Sequence, residues 1–301
     1  MFEMGKVLVT GGAGFIGSHL VEALCDDHDV VVIDDLSTGK LENLENVRER
    51  IVLHKKSILD KGIKEDLRDV EVIFHHAAQI DVRRSVEDPM YDLDVNGKGT
   101  INLIENAPDL ERMIYASSGG AVYGEPEYLP VDENHKTEPI SPYGISKLVG
   151  EKYLDYYSYT YGLKTCSLRY GNVYGPRQDP LGEAGVIAIF LDRLSKNKRP
   201  IIFGDGEQTR DFVHVTDVVE ANLLAMEREG VFNIGTGVET SVNGLVQIMS
   251  KVIGRGIEPS YADERKGEVK RIYLDIRKAR EILGWEPRTT LEEGIKDLWK
   301  G

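Results

Sequence analysis

Short unbroken runs of aliphatic residues recur through the first 170 positions, at Lys6–Thr10, Val30–Ile33, Ile51–Leu53, Val70–Phe74, Met113–Ala116 and Lys164–Leu168. A strand with one wet face would alternate apolar and polar residues, so continuous Val/Ile-rich runs predict parallel strands buried on both faces. Between the first two runs, Ile16, Leu20 and Leu24 recur at intervals of four and mark one face of a helix. The stretches from Val95 to Ala107 and from Tyr143 to Tyr161 also read as helices. Strands alternating with helices imply right-handed crossovers, and so an α/β protein with a doubly wound parallel sheet of the Rossmann type.

Past Tyr170 the periodicity breaks down. The segment GNVYGPRQDPLGEAG is rich in Gly and Pro and predicts a long loop leaving the sheet, and loops of that length inside a compact protein tend to carry function. The last third mixes short strands, turns and helices and ends in an amphipathic segment from Leu291 to Leu298. The expected organisation is a nucleotide-binding domain over 1–170 and a smaller α/β substrate-binding cap over 171–301, with the chain returning to the sheet around 211–234.

Composition narrows the partners. The 301 residues carry 51 acidic and 37 basic side chains, a formal net charge of −14. That balance argues against a nucleic-acid or anionic-membrane binder, which needs surplus Lys and Arg, but leaves room for a small phosphorylated ligand at a local cationic site. The start MFEMGKVLVTGG does not read as a signal peptide and no apolar run is long enough for a membrane span, so a cytoplasmic protein is expected. Cys25 and Cys166 are far apart and read as inert buried thiols.

Three local motifs carry chemistry. In VLVTGGAGFIGSHL a strand ends at Thr10, Gly11-Gly12-Ala13-Gly14 make a turn, and Phe15, Ile16 and Gly17 open a helix. Glycines there let the main chain approach a pyrophosphate, and the helix N-terminus offers free N–H groups and a positive dipole end. Asp34 follows Gly17 by 17 residues at the end of the second strand, where a carboxylate accepts from adenosine ribose hydroxyls and repels a 2′-phosphate, so NAD is expected rather than NADP. Asp35 and the turn Ser37-Thr38-Gly39 lie beside it. Lastly, Tyr143 and Lys147 are spaced i, i+4, which puts a phenol and an ammonium on one helical face. A neighbouring cation favours the phenolate, as a general base near neutral pH requires.

Together these motifs resemble the short-chain dehydrogenase/reductase superfamily, and the GGAGFIG form and chain length resemble its extended, nucleotide-sugar-modifying branch. The resemblance continues through HHAAQIDVRRSVEDP, NGKGTINLIENA, YASSGGAVYGE, RYGNVYGPRQ, FGDGEQTRDFVHVTDVVEA, FNIGTG and RKGEVKRIYLDIRKAREILGW. It implies that Gly11, Gly14, Phe15, Ile16, Gly17, Asp34, Asp35, Ser37, Thr38 and Gly39 surround NAD, with Ala77, Ala78, Gln79, Asn96, Ser117 and Tyr170 along the same cleft. It implies Tyr143 as the base and Lys147 as the group holding the nicotinamide ribose. Asn172, Arg210 and Arg265 would bind the sugar-nucleotide phosphates. The activity implied is C4 epimerisation of a UDP-hexose, UDP-glucose or UDP-galactose, by a homodimer paired through the helices that start near Val95 and at Tyr143.

One position departs from that pattern. The family places a Ser or Thr beside the sugar 4-hydroxyl; counting back from Val122 puts Gly119 there, and counting back from Tyr143 puts Ser118 there. Ser118 is the expected hydroxyl, with Gly119 open. The same stretch, Gly119-Gly120-Ala121, lacks the Asp-Glu pair with which 4,6-dehydratases eliminate water, so dehydration is not expected. The position seven after Arg265, where the family gates an N-acetyl group, is Ile272; being smaller than Tyr, it keeps a UDP-N-acetylhexosamine substrate open, and a UDP-uronate epimerase or decarboxylase is the sibling reading. A non-catalytic NAD-binding sensor would need the glycine turn but not the Tyr143–Lys147 pair. No metal is expected: His75 and His76 are adjacent on a strand end and point to opposite faces.

Overall fold

The computed structural model describes residues 5–180, 185–264 and 269–299. The first half runs β1 (Lys6–Thr10), α1 (Phe15–Leu24), β2 (Asp29–Asp34), β3 (Ile51–Lys55), β4 (Val70–His75), α2 (Val82–Glu87), α3 (Pro89–Leu93), α4 (Gly99–Asn106), β5 (Arg112–Ser118), α5 (Pro142–Tyr161) and β6 (Lys164–Tyr170). The helix expected from Val95 is divided: a π-helical turn, Asp94–Lys98, joins α3 to α4. Such wide turns inside helices recur at functional sites, and this one carries Asn96.

The second half runs β7 (Asn172–Tyr174), α6 (Val186–Ser195), β8 (Ile201–Phe203), β9 (Thr209–Arg210), β10 (Phe212–His214), α7 (Val215–Ala225), β11 (Gly230–Ile234), β12 (Thr240–Ser241), α8 (Val242–Ile253), β13 (Ser260–Ala262) and α9 (Leu291–Leu298). The Gly/Pro-rich segment is therefore not all loop, because β7 lies parallel to β10.

Seven strands form one parallel sheet in the order β11-β6-β5-β4-β1-β2-β3. Its seventh strand, β11, comes from the second half of the chain and pairs with β6, Ile234 opposite Tyr170. The strand order reverses between β1 and β4, and a ligand crevice forms beyond the carboxyl ends of strands at such a switch point.

Alternate residues feed the two faces of the sheet. Val7 and Val9 of β1 pack with Leu20 and Leu24 of α1 and Val218 and Ala221 of α7, whereas Leu8 packs with Leu103 of α4 and Leu154 of α5. Burial on both sides is what the continuous apolar runs require. A third cluster, including Tyr174, Phe190, Phe212, Leu245 and Ile295, forms the core of the cap. Cys166 lies in the main core, where burial pushes its thiol up to about 12, and Cys25 packs at the edge of that core. Among the described residues no helix is long and apolar enough to cross a membrane.

Candidate active site

The glycine turn meets the end of β4 at the switch point. Gly11 has φ +68°, and a Cβ there would lie 2.7 Å from the Ala77 nitrogen. Only a residue without a side chain permits that approach. A Cβ on Gly17 would sit 2.2 Å from the Gly11 carbonyl oxygen, so the first turn of α1 is pressed onto the glycine turn. Gly14 caps α1 in extended conformation, with no side chain bonded to the helix start. The first-turn N–H groups of Phe15, Ile16 and Gly17 thus form an anion site at the mouth of the crevice.

Asp34 is buried at the end of β2. Its Oδ2 accepts from Ala13 N at 2.9 Å and its Oδ1 from Leu36 N at 2.8 Å, so the carboxylate ties the glycine turn to the loop after β2. Burial pushes its pKa up, and the two main-chain N–H groups oppose that rise. Each oxygen keeps a lone pair for a ribose hydroxyl. Asp35 is exposed and accepts from Ser37 N at 2.8 Å, which is turn chemistry. Ser37 and Thr38 are exposed, and Gly39 packs on the Asp34 carboxylate, where a Cβ would come within 2.8 Å of Oδ1. The tight Gly11–Ala77 approach, the side-chain-free helix start and the acceptor at Asp34 fit NAD. Gly17→Ala is expected to distort the turn and weaken NAD retention at least about tenfold; quantifying NAD released from the purified variant checks this, and a full complement of NAD would contradict it.

Four residues expected along the cleft have side chains bonded to protein groups. Gln79 donates to Asp81 O and Asp92 Oδ1, both at 2.8 Å. Asn96 accepts from Gln79 N at 2.8 Å and donates to Gln79 O and Ser146 Oγ, both at 3.0 Å. Ser117 Oγ donates to Glu151 at 2.5 Å. The Tyr170 hydroxyl bonds Asn222, and its ring stacks on His76. These bonds fix the four side chains, and Asn96 holds the loop at Gln79 in place.

At the other rim, Ser141 caps α5 by accepting from Gly144 N at 3.1 Å, and Pro142 occupies the first turn. The Tyr143 N–H donates to Ser85 Oγ at 3.1 Å. Gly144 touches the turn after β5: a Cβ there would lie 2.6 Å from Ala121 O. One helical turn on, Lys147 Nζ lies 5.9 Å from the centroid of the Tyr143 ring and donates to Ala116 O at 2.9 Å. Burial lowers the Lys147 ammonium to about 8. The helix thus presents phenol and ammonium side by side over the end of β5.

The geometry also separates Ser118 from Gly119. A Cβ on Gly119 would point into the core, 2.8 Å from Leu274 Cδ1 and 3.1 Å from Arg169 O. One on Gly120 would stand 3.9 Å from Asn172 Oδ1 and 4.0 Å from Ser118 Oγ. Ser118 Oγ and Asn172 Oδ1 both lie about one contact distance from that position, whereas a side chain at 119 would point to Leu274.

Arg210 donates from Nη1 to Thr209 O at 2.7 Å and Val269 O at 2.8 Å. Its neighbour Asp211 is buried and accepts from Thr236 N, Thr236 Oγ1, Gly237 N and Leu274 N, which ties the FNIGTG turn to β9 and β10. Arg265 lies outside the described residues. Val269 also lines a cavity of about 430 Å³ with Phe203, Gln208, Lys270 and Arg271. The cavity combines the Phe203 ring and two cations with three carboxylates, Asp205, Glu207 and Glu264. Sequence reasoning missed it because its residues come from three separate segments. Ile272 is buried in the main core beyond this wall.

His75 spends both ring nitrogens on Thr10 and Thr100, at 2.7 and 3.0 Å, while His76 turns to Tyr170. Burial, assisted by the charge on Lys147, lowers His76 to about 3. Among the described residues no group of three or more His, Cys, Asp or Glu could hold a metal ion.

A switch-point glycine crevice combined with a Tyr143–Lys147 pair over the end of β5 defines an NAD-dependent enzyme of the extended short-chain dehydrogenase/reductase class. The chain belongs to the family described as GDP-mannose 4,6 dehydratase, which matches residues 8–298. Three solved structures are similar over nearly the whole chain. A Thermotoga maritima UDP-glucose 4-epimerase with UDP-glucose is 48% identical, with TM-score 0.93 and 97% and 96% of the two chains covered. A Thermus thermophilus UDP-glucose 4-epimerase complexed with NAD is 41% identical, with TM-score 0.91 and coverage of 98% and 99%. A Methanobrevibacter ruminantium UDP-N-acetylglucosamine 4-epimerase in complex with UDP-N-acetylmuramic acid is 37% identical, with TM-score 0.94 and coverage of 99% and 98%. By class the chain is an NAD-dependent isomerase of the nucleotide-sugar 4-epimerase type.

Proposed function

We propose that the protein interconverts UDP-glucose and UDP-galactose by epimerisation at C4. The observation that carries this reading is the Tyr143–Lys147 pair over the end of β5, the strand that ends at Ser118, with Ser118 and Asn172 both near Gly120. Bound NAD supplies the hydride acceptor and donor. Tyr143 takes the proton from the sugar 4-hydroxyl as C4 is oxidised and returns it after the 4-keto sugar has turned over in the pocket. Lys147 holds the nicotinamide ribose and stabilises negative charge on Tyr143 as the proton moves. Ser118 hydrogen-bonds the 4-oxygen. Asn172, Arg210 and, by family resemblance, Arg265 take the diphosphate, and the cavity at Phe203 takes the base. No acid occupies 119–121, so the 4-keto sugar is not dehydrated.

A UDP-N-acetylhexosamine is the second reading. It is favoured by the likeness to the M. ruminantium enzyme. A homodimer belongs to the same proposal: Val86, Met90, Ile145, Tyr153 and Tyr156 on α2, α3 and α5 are exposed, and burying them in a second copy would remove this apolar surface from water.

Denaturing the purified protein and identifying the released ligand by mass spectrometry should yield NAD. The intact protein should then convert UDP-galactose to UDP-glucose in a coupled assay with no added NAD. Conversion of UDP-N-acetylgalactosamine alone would select the second reading, and no conversion of any UDP-sugar would overturn both.

A further inference from the structure

A buried carboxylate that this chemistry does not use lies behind the Tyr143–Lys147 pair. Asp92, on α3, is 1% exposed. Its Oδ1 accepts from Gln79 Nε2 at 2.8 Å and from Asn96 Nδ2 at 3.3 Å, while its Oδ2 is shielded from water and has no hydrogen-bond partner. Asn96 carries the connection to α5 through Ser146, the residue beside Lys147. An ionised carboxylate with a bare buried oxygen is costly unless an opposite charge lies within reach.

The buried cation next to this network is Lys147, 4% exposed and adjacent to Ser146 on α5, and the Asp92 charge acts on it. The other groups around it do not fill the role of counter-charge. Glu151, one turn along α5, is bound at both oxygens by Arg169 of β6, at 2.9 and 2.6 Å. Tyr143 and Tyr115 present phenol rings, at 5.9 and 5.2 Å from Nζ. His75 and His76, at the end of β4, are kept neutral by burial, and Lys147 reinforces that. Among the described residues Asp92 is bonded by the Gln79 and Asn96 amides and by no guanidinium, and it acts on Lys147.

We propose that Asp92 is the counter-charge of Lys147, a positioning residue that keeps the ammonium protonated beside Tyr143 and sets the alkaline limit of activity. The proposal rests on the roles assigned to Tyr143 and Lys147 above. Burial pulls Lys147 down to about 8 and the Asp92 charge holds it up. Without that charge the ammonium deprotonates at lower pH, so activity and the grip on the nicotinamide ribose fail earlier as pH rises.

The test compares wild type, Asp92→Asn, Asp92→Glu and Asn96→Leu, each checked for folding by thermal melting. In Asp92→Asn the alkaline limb of kcat should move down by about one pH unit or more, with the acidic limb and KM little changed. NAD retention, measured on the same variant across pH without substrate, should fall along the same limb. Asp92→Glu should restore the limb. Asn96→Leu cuts the hydrogen-bond chain but leaves the charge, so it should lower activity evenly across pH. If Asp92→Asn does not fold, Asp92→Ser removes the charge with less buried polarity and is read in the same way. A folded, active Asp92→Asn enzyme with the wild-type alkaline limb overturns the proposal. An inactive wild type would instead overturn the assigned chemistry, so the two failures are distinct.

Discussion

The Tyr143→Phe protein is expected to keep its fold and its NAD while turning over UDP-galactose about 10²–10⁴ times more slowly, the usual contribution of a positioned general acid–base. Only one oxygen is removed. The main chain of residue 143 stays fixed by Ser85 Oγ and by the Ser141 cap, and Gly144 still seats against Ala121 O. On the proposed assignment cofactor retention depends on the glycine turn and Asp34, which the substitution leaves intact. The effect should therefore fall on kcat, with KM little changed, because the missing group acts on the 4-hydroxyl rather than on the diphosphate. Steady-state kinetics together with quantification of released NAD separate these outcomes. Turnover within tenfold of wild type would remove Tyr143 from the chemistry, and loss of NAD would make it a cofactor-binding residue instead.

The largest stability effect is expected from Arg169→Met. Arg169 and Glu151 are buried partners: Nε and Nη2 bind the two carboxylate oxygens, and Nη1 reaches the Tyr123 hydroxyl at 2.9 Å, which in turn donates to Asn233 Oδ1. Without the guanidinium, Glu151 keeps only the Ser117 hydroxyl for its charge. Removing one partner of a buried pair costs about 3–5 kcal/mol, because the other charge is left uncompensated. Replacing both, as Glu151→Leu with Arg169→Met, should recover most of that loss. Urea unfolding of the two variants decides it, and equal losses would show that the uncompensated charge is not the cause. The pair also matters for the site: Lys147 holds Ala116 and Glu151 holds Ser117, so successive turns of α5 pin the two residues that precede Ser118.

Much of the architecture was legible in the chain. The apolar runs marked the first six sheet strands to within a few residues, because burial on both faces leaves a continuous hydrophobic signature. The glycine turn and the Tyr143–Lys147 spacing were legible for a related reason: each is local, and its chemistry depends on residues within one turn of one another. The π-helical turn at Asp94–Lys98 left no such mark, since wide and ordinary turns have nearly the same periodicity. The strand β7 was hidden in a Gly/Pro-rich stretch, where pairing with β10 outweighs local propensity. Counting along the chain left Ser118 and Gly119 undecided, and that a side chain at 119 would meet Leu274, 155 residues away, is visible only in the folded chain.

The net charge of −14 argued against broad polyanion binding, and the glycine turn pointed to a dinucleotide fold, with Tyr143 the expected base. Which groups the expected cleft side chains bond to was decided only in three dimensions. Gln79, Asn96, Ser117 and Tyr170 occupy cleft positions by sequence, yet their partners are Asp92, Ser146, Glu151 and Asn222, contributed by other elements. A hydrogen bond depends on distance and direction across the packed chain, and neither is encoded in the spacing of residues along it.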